Sequence, residues 1–414
     1  MNLHEDARRM IGAALAAAQP DSAVRRALNA LPPTQGELVL ISIGKAAWQM
    51  AAAAVSALGS QIRRGVVITK YGHSCGPLGS LQIFEAGHPV PDENSFRATE
   101  AAMTAVENLR AEDRVLLLIS GGGSALFEKP IIPPEELGDV TRQLLACGAD
   151  IVEINTLRKR LSAVKGGRFA ELCAPAQVFS VVLSDIVGDP LDMIASGPAH
   201  PDRSTCAQAM EIVRKYSLTL SEVALKCLSQ ETPKVLDNVD SRITGSVRQL
   251  CAAASEVCRS LGYRPVVLTS SLTCEAREAG SFLAAIAREH ADSPEPLAFI
   301  AGGETVVHLT GHGLGGRNQE LALSAAKGLD GLPGTLLFSV GSDGTDGPTD
   351  AAGGIVTGET AALLRAKGVD IDVALADNDA YHALSACNGL IMTGPTGTNV
   401  NDLTVLLIQK ECSP

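Results

Sequence analysis

Ser120, Gly121, Gly122, Gly123 and Ser124 follow an unbroken apolar run from Val115 to Ile119. Glycines permit positive φ and let a ligand come close to the main chain. A helix starting near Ser124 would point free N–H groups, and the positive end of its dipole, into the loop. That arrangement suits an anion, above all a phosphate. The competing reading is a plain strand-to-helix turn whose glycines serve close packing. Lys45 stands in a similar place, after the apolar run Leu38 to Ile43 and Gly44. Its ammonium could reach a phosphate or a carboxylate there. The stretch is not a Walker A motif: Val39 stands where that motif has its first glycine, and Ala46 replaces Ser or Thr. Otherwise Lys45 is a solvated lysine at a helix start, where the dipole mildly disfavours a cation.

Arg317 follows Gly311, Gly313, Gly315 and Gly316 and precedes Asn318 and Glu320. Glycines that free an Arg–Asn pair suit a bidentate clamp on an anion, although a loop arginine paired to a neighbouring acid fits equally. Asp343, Asp346 and Asp350 crowd the stretch SDGTDGPTD. Such carboxylates suggest Mg²⁺ or hydroxyl binding, or else ordinary turn chemistry. Asp185 and Asp189 flank the end of an apolar run, where one could take a hydroxyl proton as general base; an N-cap plus a turn is the alternative. Lys159, Arg160, Lys165 and Arg168 form a basic run, read first as a solvated helix face and second as the lining of an acidic-substrate cleft. His73 and His88 read as loop packing, since no second histidine has ligand spacing.

The elements that must hold these loops read as strand–turn–helix alternation. Strands are expected at Leu38–Ile43, Gly65–Lys70, Leu81–Glu85, Arg114–Ile119 and Val178–Leu183, with helices between them. That is the pattern of a doubly wound parallel sheet, whose ligands bind beyond the strand C-termini. Hydrophobic periodicity lapses near Glu231 to Asp240, which places a domain boundary there. A second α/β unit is expected to open with a strand at Arg242–Gly245. It continues with strands at Pro265–Thr269, Leu297–Ala301, Leu336–Val340 and Leu403–Ile408, a hairpin strand at Thr305–Leu309 and a helix near 377–386.

Composition narrows the function classes. A length of 414 residues suggests more than one domain. Aromatics at 3% and a net charge of −12 make a single-strand nucleic-acid binder a poor fit. An anionic substrate would need focused Lys, Arg or metal in its cleft. The 10 cysteines, Cys412 the last, contain no CxxC pair and read as reduced, mostly buried thiols of a cytoplasmic protein. No apolar run reaches the roughly 18 residues needed to span a bilayer.

Taken together and in order, ISIGKAA, GHPVPDENS, ISGGGSALF, INTLRKRLSAVKGGR, LSDIVGDPLDMIASGP, AGGETVV, GLGGRNQELAL, GSDGTDGPTDAAGG and GPTGTNVNDL resemble the glycerate 2-kinase family, two-domain kinases ending in a MOFRL domain. The resemblance implies ATP-dependent phosphorylation of D-glycerate to 2-phosphoglycerate, with Mg²⁺. It implies an active site in the cleft between a Rossmann-like doubly wound parallel domain, residues 1–235, and a C-terminal α/β domain with a mixed sheet, residues 236–414. Carried over, Lys45, Arg317, Asp185 and Asp189 are the catalytic residues. Ser120, Gly121, Gly122, Gly123, Ser124, Gly341 and Asn399 bind the nucleotide, and Asp343 and Asp346 the metal. The expected partners are D-glycerate and ATP, with no nucleic acid and no membrane, and a homodimer is allowed. A hydroxypyruvate reductase and a non-catalytic phosphosugar-binding module are the alternative functions.

Overall fold

The computed structural model describes residues 2–409, so Cys412 lies outside the described residues. The chain divides into two compact units. The first comprises Pro20–Ser184 and Asp189–Thr244; the second comprises residues up to Gln19, the segment Asp185–Gly188, and everything from Gly245 onward. The chain thus leaves the first unit at Asp185 and re-enters it at Asp189. No described helix is long and apolar enough to cross a membrane.

In the first unit the strands are β1 (Leu38–Ile43), β2 (Ile62–Lys70), β3 (Gln82–Ala86), β4 (Arg114–Ile119), β5 (Gln177–Leu183) and β6 (Val239–Gly245). They form one sheet in the order β3-β2-β1-β4-β5-β6, and the pairs from β3 to β5 are parallel. Every residue of β1 is buried, as the run LVLISI requires of a strand covered on both faces. One face packs on Ala98, Ala102, Phe127 and Phe169, the other on Ala47, Met50, Ala51 and Ala54. Strand order reverses direction between β1 and β4, and Ile43 pairs with Ile119. Gly44 and Ser120, each next in the chain, therefore leave the sheet side by side. This is the switch point at which open α/β sheets form a crevice. β6, expected to open the second unit, instead closes the edge of this sheet.

The second unit has β7 (Arg264–Leu272), β8 (Leu297–Gly303), β9 (Thr335–Gly341), β10 (Gly353–Thr357), β11 (Leu390–Ile391) and β12 (Asp402–Ile408), in the order β11-β10-β9-β12-β8-β7. β7 and β8 are parallel and the other pairs antiparallel, so the sheet is mixed, as expected. The helix Leu3–Ala17 packs Ala7, Met10, Ile11 and Ala14 on Val247, Leu250, Cys251 and Cys258 of the helix Val247–Ser260. Buried Asp6 accepts a hydrogen bond from the Tyr263 hydroxyl at 2.8 Å.

Several local expectations are corrected. Thr305–Leu309 forms no strand; Val306 makes only an isolated bridge to Glu275. The helix near 377–386 is present as Ala380–Ala386, and a further helix, Ile371–Ala376, precedes it across Asn378 at positive φ. Short β10 and β11 escaped notice because two glycines open β10 and remove its apolar signal. Of the nine described cysteines, all free thiols, only Cys173, Cys251 and Cys258 are fully buried. Their burial pushes each of those thiols upward, Cys173 to about 12.

Candidate active site

Most of the basic run is drawn inside rather than forming a solvated face. Lys159, Arg160 and Lys165 are 3%, 0% and 0% exposed. Arg160 donates to the Ser204 carbonyl at 2.7 Å and pairs with Asp202 and Glu231. Lys159 pairs with Asp202 and Asp192. Burial alone would raise the Asp202 carboxyl, but Lys159, Thr232 and Ser204 outweigh it and hold the group below the usual range. These cations brace the segment 202–204 against the helix Ile151–Arg160.

In the first unit the structure gathers Lys45 and Ser120 to Ser124. Gly44 has φ +113°, and the Lys45 amide donates to the Gly121 carbonyl at 2.8 Å. The Ser120 hydroxyl donates to the Ile43 carbonyl and accepts from the Ala46 amide at 3.1 Å, so the two loops are stitched together. Gly122, in the left-handed region, precedes the short helix Gly123–Leu126. A Cβ at Gly122 would lie 2.9 Å from His88 and 3.1 Å from the Lys45 side chain. A Cβ at Gly123 would lie 2.7 Å from that of Ala195. These glycines therefore clear space for side chains that the loop must meet. Half-buried Lys45 makes no ion pair among the described residues. His88 is held below its usual value by burial, then by Lys45, Lys70 and His73, so it is neutral at physiological pH. His88, read from the sequence as loop packing, thus stands with Lys45 beside the loop. The Ser124 hydroxyl lies 3.1 Å from that of buried Ser196, which donates to Asn155 at 2.9 Å. Asp189 is half-buried, on its own segment, with φ +55°.

In the second unit Arg317 begins the helix Arg317–Leu329 and is clamped by acids. Its Nε and Nη2 donate to the two Asp402 oxygens at 2.6 and 3.0 Å, and Glu304 is 3.3 Å away. Burial would lower the guanidinium, but Asp402 and Glu304 prevail and hold it upward. Asn401 donates to Glu304 and to the Asp185 carbonyl. Asp185, Glu304, Gly316 and Arg317 line a cavity of about 1060 Å³ whose remaining wall is largely apolar. The glycines before Arg317 do not free it. A Cβ at Gly311, Gly313 or Gly316 would come within 2.3–2.4 Å of Asp377, Asp379 or Asp346, so they permit close packing.

Asp346 is 2% exposed and accepts from the amides of Asn318 and Gln319 at 3.1 and 2.8 Å, which makes it the cap of that helix. Burial pushes its carboxyl up to about 6. Asp343 accepts from the Thr345 amide, Gly341 is buried and bonded to the Ala352 carbonyl, and Asn399 is exposed. Among the described residues no group of three or more His, Cys, Asp and Glu could hold a metal. With both Asp346 oxygens spent on amides, Asp343 and Asp346 do not fit Mg²⁺ as a pair.

Residues 6–229 match the family model described as "Domain of unknown function (DUF4147)", and residues 297–402 match the MOFRL family. The chain is 53% identical to the D-glycerate 2-kinase of Thermotoga maritima, over 94% of each chain. It belongs to the glycerate 2-kinase family. The glycerate 2-kinase of Pyrococcus horikoshii is 39% identical over 99% of this chain and 98% of its own. The crystal structure of the Thermotoga maritima glycerate kinase superposes with a TM-score of 0.95 at 51% identity, covering 98% of this chain and 99% of that one. The likeness spans both units.

Proposed function

We propose that this protein transfers the γ-phosphoryl group of ATP to the 2-hydroxyl of D-glycerate, giving 2-phosphoglycerate and ADP. The observation that carries the reading is the Lys45 ammonium, without an ion pair among the described residues, beside a triple-glycine turn at a sheet switch point, in a chain 53% identical to a D-glycerate 2-kinase. Phosphoryl transfer asks mostly for positioning and charge neutralisation. Main-chain N–H groups of Gly121 to Ser124 cradle phosphate oxygens, and Lys45 neutralises charge on the transferring group. Arg317, held by Asp402 and Glu304, keeps one edge toward the cavity and orients the glycerate carboxylate. Asp185 or Asp189 accepts the 2-hydroxyl proton. Gly341 and Asn399 contact the nucleotide. Mg²⁺, when bound on the nucleotide, supplies further neutralisation. We place the reaction in the cytoplasm, which the unpaired thiols favour.

Phosphorus NMR of the product from ATP, Mg²⁺ and D-glycerate tests the reading. A 2-phosphoglycerate signal with stoichiometric ADP is expected. A 3-phosphoglycerate signal would overturn the regiochemistry. NADH oxidation with hydroxypyruvate and no ADP from glycerate would overturn the kinase reading itself.

A further inference from the structure

Behind the triple-glycine turn lies a buried cluster that the transfer scheme above does not use. The Lys165 ammonium donates to the carbonyls of Ser124 and Phe127 at 2.8 and 2.9 Å. The Arg158 guanidinium donates to the same Ser124 carbonyl at 3.0 Å. One carboxylate answers both: Glu128 Oε2 is 3.2 Å from Arg158 and 3.4 Å from Lys165. Lys165 and Glu128 are each fully buried. Glu128 Oε1 and Arg158 Nε have no partner. Lys159, on the same helix as Arg158, is turned to Asp202 and Asp192 instead.

Two cations against one carboxylate leave a net positive charge behind the turn, Lys165 and Glu128 being fully buried and Arg158 largely so. An unbalanced buried charge is unfavourable unless something compensates it. Both cations sit at the carbonyl end of the turn, so they reinforce the dipole whose N–H end faces Lys45 and His88. An anion at that mouth would supply the missing balance.

We propose that Lys165, with Arg158, is a positioning residue for the phosphate-binding turn, holding its carbonyl end and supplying charge that strengthens anion binding at its N–H end. This rests on the kinase reading above. Burial first, and Arg158 second, draw the Lys165 ammonium down to about 8, against the pull of Glu128. The compensating charge therefore disappears as pH rises through the upper physiological range. His88, already neutral, does not titrate in that window.

The test is KM for ATP as a function of pH on the full-length enzyme, with kcat followed in parallel. Wild-type KM is expected to rise about tenfold between pH 7 and 9.5, the order expected for losing one charged hydrogen bond. Lys165→Arg keeps the charge and removes that rise. Lys165→Met gives a high KM at every pH. Glu128→Gln removes the carboxylate that supports the ammonium and shifts the rise to lower pH, and it serves if the Lys165 variants do not fold. A wild-type KM flat across this range, or a rise that Lys165→Arg and Glu128→Gln both leave in place, overturns the inference. Wild type that does not turn over ATP with glycerate fails the functional reading instead, before any variant is compared.

Discussion

Gly44→Ala tests how the sheet positions Lys45. Gly44 has φ +113°, a conformation that L side chains rarely adopt, and a Cβ there would lie 2.3 Å from the Ser120 hydroxyl and 2.4 Å from its carbonyl oxygen. The backbone term is about 1–3 kcal/mol. Overpacking against a loop fixed by the Lys45–Gly121 and Ala46–Ser120 hydrogen bonds adds about 1–3 kcal/mol. The sum, roughly 2–6 kcal/mol, corresponds to a fall of roughly 5–20 °C in the melting of the first unit. Relief of the clash must separate the two loops, and an ångström of displacement in a reacting group costs on the order of 10²-fold in rate. Gly12→Ala is the control: no atom lies within 4 Å of its would-be Cβ, and it sits inside the helix Leu3–Ala17. That change is expected to stabilise by about 0.5–1 kcal/mol and leave activity alone. Thermal melts read the first quantity, and kcat/KM for ATP, at a temperature where each variant is folded, reads the second. Gly44→Ala that melts with wild type and keeps kcat/KM would refute the strain argument; a destabilised variant with full kcat/KM would refute the link to Lys45.

Lys45→Ala should lower kcat/KM by about 10²–10³ with stability unchanged, since the ammonium makes no ion pair among the described residues; a variant with normal turnover removes Lys45 from the scheme. Asp346→Ala should destabilise by about 1–2 kcal/mol through loss of the helix cap, whereas Asp346→Asn, which keeps an acceptor, should do so less. Burial raises the folded Asp346 carboxyl to about 6, above its unfolded value near 4. The folded state therefore binds the proton more tightly, and that contribution is complete below pH about 4 and lost as pH rises through about 6. Wild type should lose ground to Asp346→Asn across this window, and a stability gap constant from pH 4 to 7 contradicts the assignment. Arg317→Ala strands the buried Asp402 carboxylate and should destabilise the second unit by about 3–5 kcal/mol; chemical denaturation that finds less than about 1 kcal/mol would mean the pair is weak.

The chain's own order of residues determined a good deal. Largely apolar runs such as LVLISI and VLLLI specify strands buried on both faces, and the glycines after them specify loops at the ligand-binding edge. That Lys45 and Ser120 to Ser124 each follow a buried strand was legible because each signal is contiguous in the chain, and the series of motifs carried the family. What only the tertiary structure decided concerns partners far apart in sequence. Asp346 reads locally as a turn acid but caps a helix that begins at Arg317. Arg317 reads as a free clamp but is clamped by Asp402. The run from Lys159 to Arg168 reads as a solvated helix face, yet Asp202, Glu231 and Glu128 draw most of it inside. Burial of a charge depends on the acid brought to meet it, and no hydrophobic period or loop composition records that meeting.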